Sequence, residues 1–448
     1  MAHLDAPVDL SDIQGLLAFR RPAPYWGSQV VVRIDAPESG RRALRKLLPH
    51  VDSAADWAAG RREVTTAVAF TYAGLAALGV PAGSLASFPV QLREGMAARA
   101  GHLGDAGDSA PQHWEAPFGT DDLHVLISVT AATEKLWRDQ VATAIERVDQ
   151  AGVTVVRTVD VAALPGTRTT FGYRDGISFP RIAGMPAQPM TTPEPALAPG
   201  EFLLGYPSEN GVSLAVPQPD VLGRGGSYVG VRKIHTRVAA FRRFLAANAV
   251  DAGDEELLAA KMLGRWRSGA PLVLAPTADD PALAADPNRI NDFGYADDPH
   301  GRSCPHGAHI RRANPRDSTL AQISDVRLHR ILRYGAVYGD PLPDGVLEDD
   351  GVERGLYFMF ISARASALEF IKAEWLNSGG PFDLGDEQDP IAGREGEDRK
   401  FTIPARPLRR RLNGLEPFTV IRGGEYAFLP SLTALHWLAE PLAQTARP

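Results

Sequence analysis

Apolar and polar positions alternate and repeat in a way that divides the chain into two similar runs. Residues 29–34 contain Val30, Val31 and Val32, a β-branched stretch that predicts a strand. Residues 39–48 place Leu44, Leu47 and Leu48 at helical spacing. A second strand is predicted over 63–72, then a short helix over 73–78 that Gly79 and Pro81 end. In 123–130, Val125, Ile127 and Val129 alternate as in a strand, and in 131–150, Trp137, Val141, Ala144 and Val148 share one side of a helix. Residues 153–161 close the set. With the minor pieces merged, the order is β-α-β-β-α-β, the split βαβ or ferredoxin-like arrangement.

Residues 185–225 are rich in Pro and Gly and predict a long connection, after which the theme returns. Strands are predicted at 227–232 and 356–361, and helices at 236–248 and 366–377. Residues 419–421 and 426–429 read as a hairpin around Gly423-Gly424. Segments 276–305 and 380–412, full of Asp, Gly, Pro and Arg, read as long surface loops. The second half thus looks like a divergent copy of the first. The expected class is α+β: two ferredoxin-like domains with antiparallel sheets, 1–200 and 201–448.

Composition narrows the function. At 448 residues, with 44% hydrophobic and 23% charged residues, the chain has room for two ordinary globular domains. A net charge of −7 argues against a general nucleic-acid binder. One cysteine, Cys304, excludes an internal disulfide framework and covalent haem attachment through C-x-x-C-H, and it suits the cytoplasm. The start, MAHLDAPVDLSDIQG, lacks the basic and apolar regions of a signal peptide. No stretch is apolar enough for a membrane span.

Three stretches carry candidate chemistry. Gly172-Tyr173-Arg174-Asp175-Gly176-Ile177-Ser178 sets a carboxylate between glycines that let the backbone bend tightly; alone it is a common turn. Cys304-Pro305-His306-Gly307-Ala308-His309-Ile310-Arg311-Arg312-Ala313-Asn314-Pro315-Arg316 offers two imidazoles, either able to bind a metal. Were that segment helical, His306 and His309 would lie near one face. Arg330-Ile331-Leu332-Arg333-Tyr334-Gly335 offers two arginines, spaced one helical turn apart, that solvent or an ion pair would explain equally well.

Together these stretches resemble the dye-decolourising peroxidases, in its longer, fungal-like branch. The resemblance runs in motif order from Asp12-Ile13-Gln14-Gly15 to Arg422-Gly423-Gly424-Glu425-Tyr426. It implies non-covalent haem b, held mainly by the C-terminal domain, with hydrogen peroxide as oxidant and bulky phenolic or dye-like aromatic reductants as donors. It implies Asp175 as the distal acid–base residue and Arg333, rather than Arg330, as the distal arginine. It implies His309, rather than His306, as the proximal ligand. Tyr334 stands where many relatives carry a second arginine, which touches substrate access and not the core chemistry. Leu356 and Phe358 match distal-pocket residues, and alternation on a strand would point both one way; ordinary core explains them as well. Arg311 and Arg316 are candidates for the propionates, since guanidinium pairs well with carboxylate. Asp389 is a candidate acceptor for the ligand's other N–H. Trp375 and Tyr338 are candidates for a surface site that oxidises donors too large to enter. Two rivals remain. A haem-binding or iron-handling protein with little turnover would need His309 but not Asp175 and Arg333 together. A chlorite-dismutating haem protein would explain the repeat but not G-x-x-D-G.

Overall fold

The computed structural model describes residues 7–441 except positions 20, 61, 164, 187–193 and 323. The first six residues and part of the 185–225 connection therefore lie outside the described residues. Among the described residues ten strands follow in chain order: β1 Tyr25–Ile34, β2 Val64–Phe70, β3 Val125–Ala131, β4 Val153–Ala163, β5 Ser227–Thr236, β6 Leu332–Tyr338, β7 Gly355–Ser362, β8 Lys400–Ile403, β9 Arg410–Asn413 and β10 Thr419–Leu429. Eight of them close into one barrel in the order β1-β3-β2-β10-β5-β7-β6-β4. The four strands of the first half run β4-β1-β3-β2 and those of the second run β10-β5-β7-β6. Numbered within its half, each run is fourth-first-third-second, the ferredoxin-like order, so the two predicted sheets exist and share their edges.

Closure has a physical motive. An open four-stranded sheet leaves two edges with unpaired N–H and C=O groups, and joining edge to edge removes all four. The joints are thin: Phe70 pairs with Phe428 and Ala162 with Val337. Gln14, wholly buried, reinforces the first joint. Its amide donates to Val68 O at 3.0 Å and Pro430 O at 2.8 Å and accepts from Val68 N at 2.9 Å. One apolar core runs through both halves, from Val8 to Ala439.

Helices cover the barrel as the periodicity predicts, in Pro37–Leu47, Glu134–Val148 and Val238–Asn248. Four expectations need correction. The hairpin at Gly423-Gly424 is one continuous strand, β10, whose register on β5 shifts between Ile421 and Gly423. The glycines answer crowding, not a turn: a Cβ at Gly423 would meet Phe118 at 2.5 Å, and one at Gly424 the sulfur of Met96 at 2.4 Å. The helix predicted over 366–377 is an α-helical turn, Ala367–Phe370, that widens into a π-helix, Ile371–Leu376. Segment 276–305 buries Ile290, Asn291 and Tyr295, and segment 380–412 forms the β8–β9 pair and buries Asp389 and Phe401. Neither is a surface loop.

Candidate active site

Strands β6 and β7 form a wall with a different lining on each side. Tyr334, Ala336, Tyr357 and Met359 face a small cavity of about 80 Å³ inside the barrel. Arg333, Leu356 and Phe358, the alternate positions, face a cavity of about 340 Å³ outside it. Leu356 and Phe358 therefore point the same way. The outer cavity is of ligand size.

On the strand side stands Asp175. Its N–H donates to Thr167 O at 2.8 Å, and the Thr167 hydroxyl donates to its carbonyl, also at 2.8 Å. Gly172 and Gly176 on either side have φ of +88° and +70°, values that side chains rarely adopt. The Arg333 guanidinium donates to the Asp175 carboxylate at 3.3 Å. Gly335 makes room for that carboxylate, since a Cβ there would lie 2.9 Å from Asp175 Oδ2. Arg330 and Arg333 do not share a helix. Arg330 follows the 3₁₀ turn Val326–His329, and Arg333 lies on β6. Arg330 also lines the cavity, but it is tied to Glu194 at 2.5 Å.

His309, which lines the same cavity, opens the short helix His309–Ala313. Its Nδ1 donates to Asp389 Oδ2 at 2.9 Å, which leaves Nε2 as a lone-pair donor. Asp389 is fully buried and its other oxygen accepts from Ile391 N and Ala392 N at 2.8 and 2.7 Å. Burial alone would raise this carboxyl. The charge and hydrogen bond of His309, the Ala392 N–H and the Arg312 guanidinium outweigh it and hold the group down at about 2. His306 lies outside the helix, turned away, with Nε2 on Pro299 O at 3.0 Å. The two histidines therefore do not compete for one face.

Other predicted residues fall elsewhere. Arg311 does not face the cavity. It is 3% exposed and is consumed in bracing the 298–304 loop, through Asp298 Oδ2, Asp298 O and Cys304 O. Arg316 does line the cavity, bonded to Asn291 O, Phe293 O and Glu194. Trp375 and Tyr338 are 3% and 7% exposed, so neither is a surface residue. Trp375 packs edge-on to Phe370 and His329, and Lys233 sits over the Tyr338 ring.

Several lining residues escape a reading of the sequence. Arg265 bonds three neutral oxygens, Gly269 O, Ile290 O and Asn291 Oδ1. Burial, then the nearby Arg316, pushes it down to about 9, still cationic at neutral pH. The Tyr295 hydroxyl and Asn314 amide oxygen are buried without a hydrogen-bond partner. Lys372 and the buried Arg232–Asp105 pair complete the wall. Apart from Asn314, which lies in the His309 motif, nothing in the local letters marks these residues, because each is brought in by a different segment.

A haem fits these demands. It is a flat apolar ring that needs one axial imidazole, which His309 can supply against walls of Leu356, Phe358, Ile371, Leu376 and Ile391. Its propionates need buried cations, which Arg265 and Arg316 can supply.

A family model described as the DyP dimeric alpha+beta barrel domain matches residues 28–165. Peroxidase 2 of Mycetinis scorodonius is 33% identical over 430 residues, covering 87% of this chain and 79% of that protein. The dye-decolorizing peroxidase of Exidia glandulosa is 32% identical over 403 residues, covering 82% and 74%. Among solved structures, a dye-decolorizing peroxidase in complex with 2,6-dimethoxyphenol superposes with a TM-score of 0.84 at 28% identity, covering 96% of this chain and all of that one. With sequence relatives and fold in agreement, the chain belongs to the dye-decolourising peroxidase family, haem enzymes that reduce hydrogen peroxide and oxidise phenolic and dye-like donors.

Proposed function

We propose that Asp175, Arg333 and His309 carry the peroxidase reaction of this chain. A bound haem would supply the redox chemistry that cleaves the O–O bond of peroxide. Asp175 would accept the proton of one peroxide oxygen and return it to the other, which leaves as water. Arg333 favours the ionised carboxylate in the resting site and offsets the negative charge that grows on the leaving oxygen. His309 holds the cofactor from the other side, with its ring oriented by Asp389. Arg316 and Arg265 would pair with the propionates, and Leu356 and Phe358 would keep water from the space beside Asp175 and Arg333.

The carrying observation is the Arg333–Asp175 contact at 3.3 Å in the same cavity that His309, held by Asp389, lines. An iron-handling protein has no need of the first pair. The test is rapid mixing of haem-loaded variants with peroxide. Asp175→Asn keeps haem but slows the reaction by about 10²–10⁴-fold, since an amide cannot accept and return the proton. Arg333→Leu also slows it, while Arg330→Leu stays near the parent rate. A loss below about threefold in both Asp175→Asn and Arg333→Leu removes the assignment. The single cysteine, buried and unpaired, supports a cytoplasmic location. Among the described residues no helix is long and apolar enough to cross a membrane.

A further inference from the structure

Asp389 sits among three cations. Arg399 donates to its backbone carbonyl at 2.8 Å, Arg312 lies near its carboxylate, and Lys372 approaches from the cavity. Only Lys372 of the three lines the haem cavity. It is the second residue of the π-helix Ile371–Leu376, a widened turn that often marks functional positions. Its ammonium donates to Ala392 O at 2.6 Å. The N–H of Ala392 donates to Asp389 Oδ1 at 2.7 Å, and Asp389 Oδ2 accepts from His309 Nδ1 at 2.9 Å.

We propose that Lys372 is a positioning residue that sets how strongly His309 donates to the haem iron, acting through Ala392 and Asp389. The proposal rests on His309 being the ligand. A carboxylate that pulls on Nδ1–H gives the imidazole anionic character, which stabilises ferric over ferrous iron. Lys372 moderates that pull in two ways. Its bond pins Ala392 from behind, so that the Ala392 N–H stays on Asp389. Its charge lies close enough to Asp389 for the two to attract, which lowers the basicity of the carboxylate. Burial pushes the ammonium down to about 8, so it remains mostly charged at neutral pH. Asp105 and Arg232 are its other charged neighbours toward the barrel. They already pair with each other at 2.6 Å, which leaves Lys372 turned to Ala392.

The test uses haem-loaded Lys372→Met, Lys372→Gln and Lys372→Arg. Two quantities are read besides turnover: the ferric/ferrous midpoint potential, by spectroelectrochemical titration, and the iron–imidazole stretching band of the ferrous protein, by resonance Raman scattering. The expected result is a lower midpoint and a higher-frequency band in Lys372→Met, both near parent values in Lys372→Arg. Lys372→Gln can still bond Ala392 O without a charge. A shift there assigns the effect to the charge, and parent values assign it to the bond; either supports the proposal when Lys372→Met shifts. Parent midpoint and band in a Lys372→Met protein that retains haem overturn it. So does loss of haem or fold in Lys372→Met alongside parent values in both Lys372→Gln and Lys372→Arg, since the role is then only structural. An unchanged iron–imidazole band in His309→Ala sinks the ligand assignment, a separate failure.

Discussion

An imidazole serves as an iron ligand when one ring nitrogen is held and the other faces the metal. His309, with Nδ1 held by Asp389, lines the cavity and His306 does not, although three positions separate them, and on that ground we propose His309 as the ligand. His309→Ala is therefore expected to lower haem occupancy or change the iron spin state, with His306→Ala doing neither; the haem absorbance per mole of protein decides it. Arg311 teaches the converse. Its letters place it beside His309, yet its guanidinium is spent on Asp298 and Cys304, and of Arg311 and Arg316 only the latter reaches the cavity. Asp52 carries a different forecast. It lines the cavity inside the barrel and accepts from Thr66 N at 2.6 Å. Burial raises its carboxyl to about 6, against the pull of the Thr66 N–H and Arg62. The folded state thus binds this proton more tightly than the unfolded chain, so the ionised group destabilises the fold above pH about 6, and the deficit vanishes below pH about 4. Asp52→Asn is expected to stabilise the protein at pH 8 by on the order of 2 kcal/mol and to have little effect near pH 4. Denaturant melts at the two pH values check this.

At the scale of elements, the informative cases are those where local pattern and structure part. A glycine pair normally signals a turn, but Gly423 and Gly424 keep β10 straight enough to pair with β5 while Phe118 and Met96 press on it. The π-helix Ile371–Leu376 has the same apolar spacing as an α-helix over so short a run, so periodicity does not separate them. Its widened turn still puts Lys372 on the cavity and Trp375 in the core. Gln14 shows one side chain acting as a missing piece of ladder between β2 and the end of β10. Gln14→Leu leaves the Val68 N–H, Val68 C=O and Pro430 C=O unsatisfied. It is expected to cost about 2–4 kcal/mol of stability, read from the denaturant midpoint with haem loading unaltered.

For the whole molecule, we propose that 1–200 and 201–448 are two copies of one unit that fold as one. Support comes from the strand order repeated in each half and from the core that spans both. Amides of β1–β4 and of β5, β7 and β10 are then expected to share a common free energy of opening in native-state hydrogen exchange; two well-separated values would give each half its own stability. Much of this protein was already decided by the sequence. Periods of two and 3.6 residues depend on local backbone geometry, so the first half's strands and helices, the repeat and the α+β class are legible in it. The three motifs offer Asp175, His306 or His309, and Arg330 or Arg333, and the family resemblance prefers His309 and Arg333. The tertiary structure decided the rest. Closure of two sheets into one barrel depends on edges far apart in the chain. So does the choice of cavity or core for Arg311, Arg316, Trp375 and Tyr338. Arg265, Tyr295 and Lys372 meet around the same space from distant segments, and a contact between distant segments leaves no period and no motif in the letters.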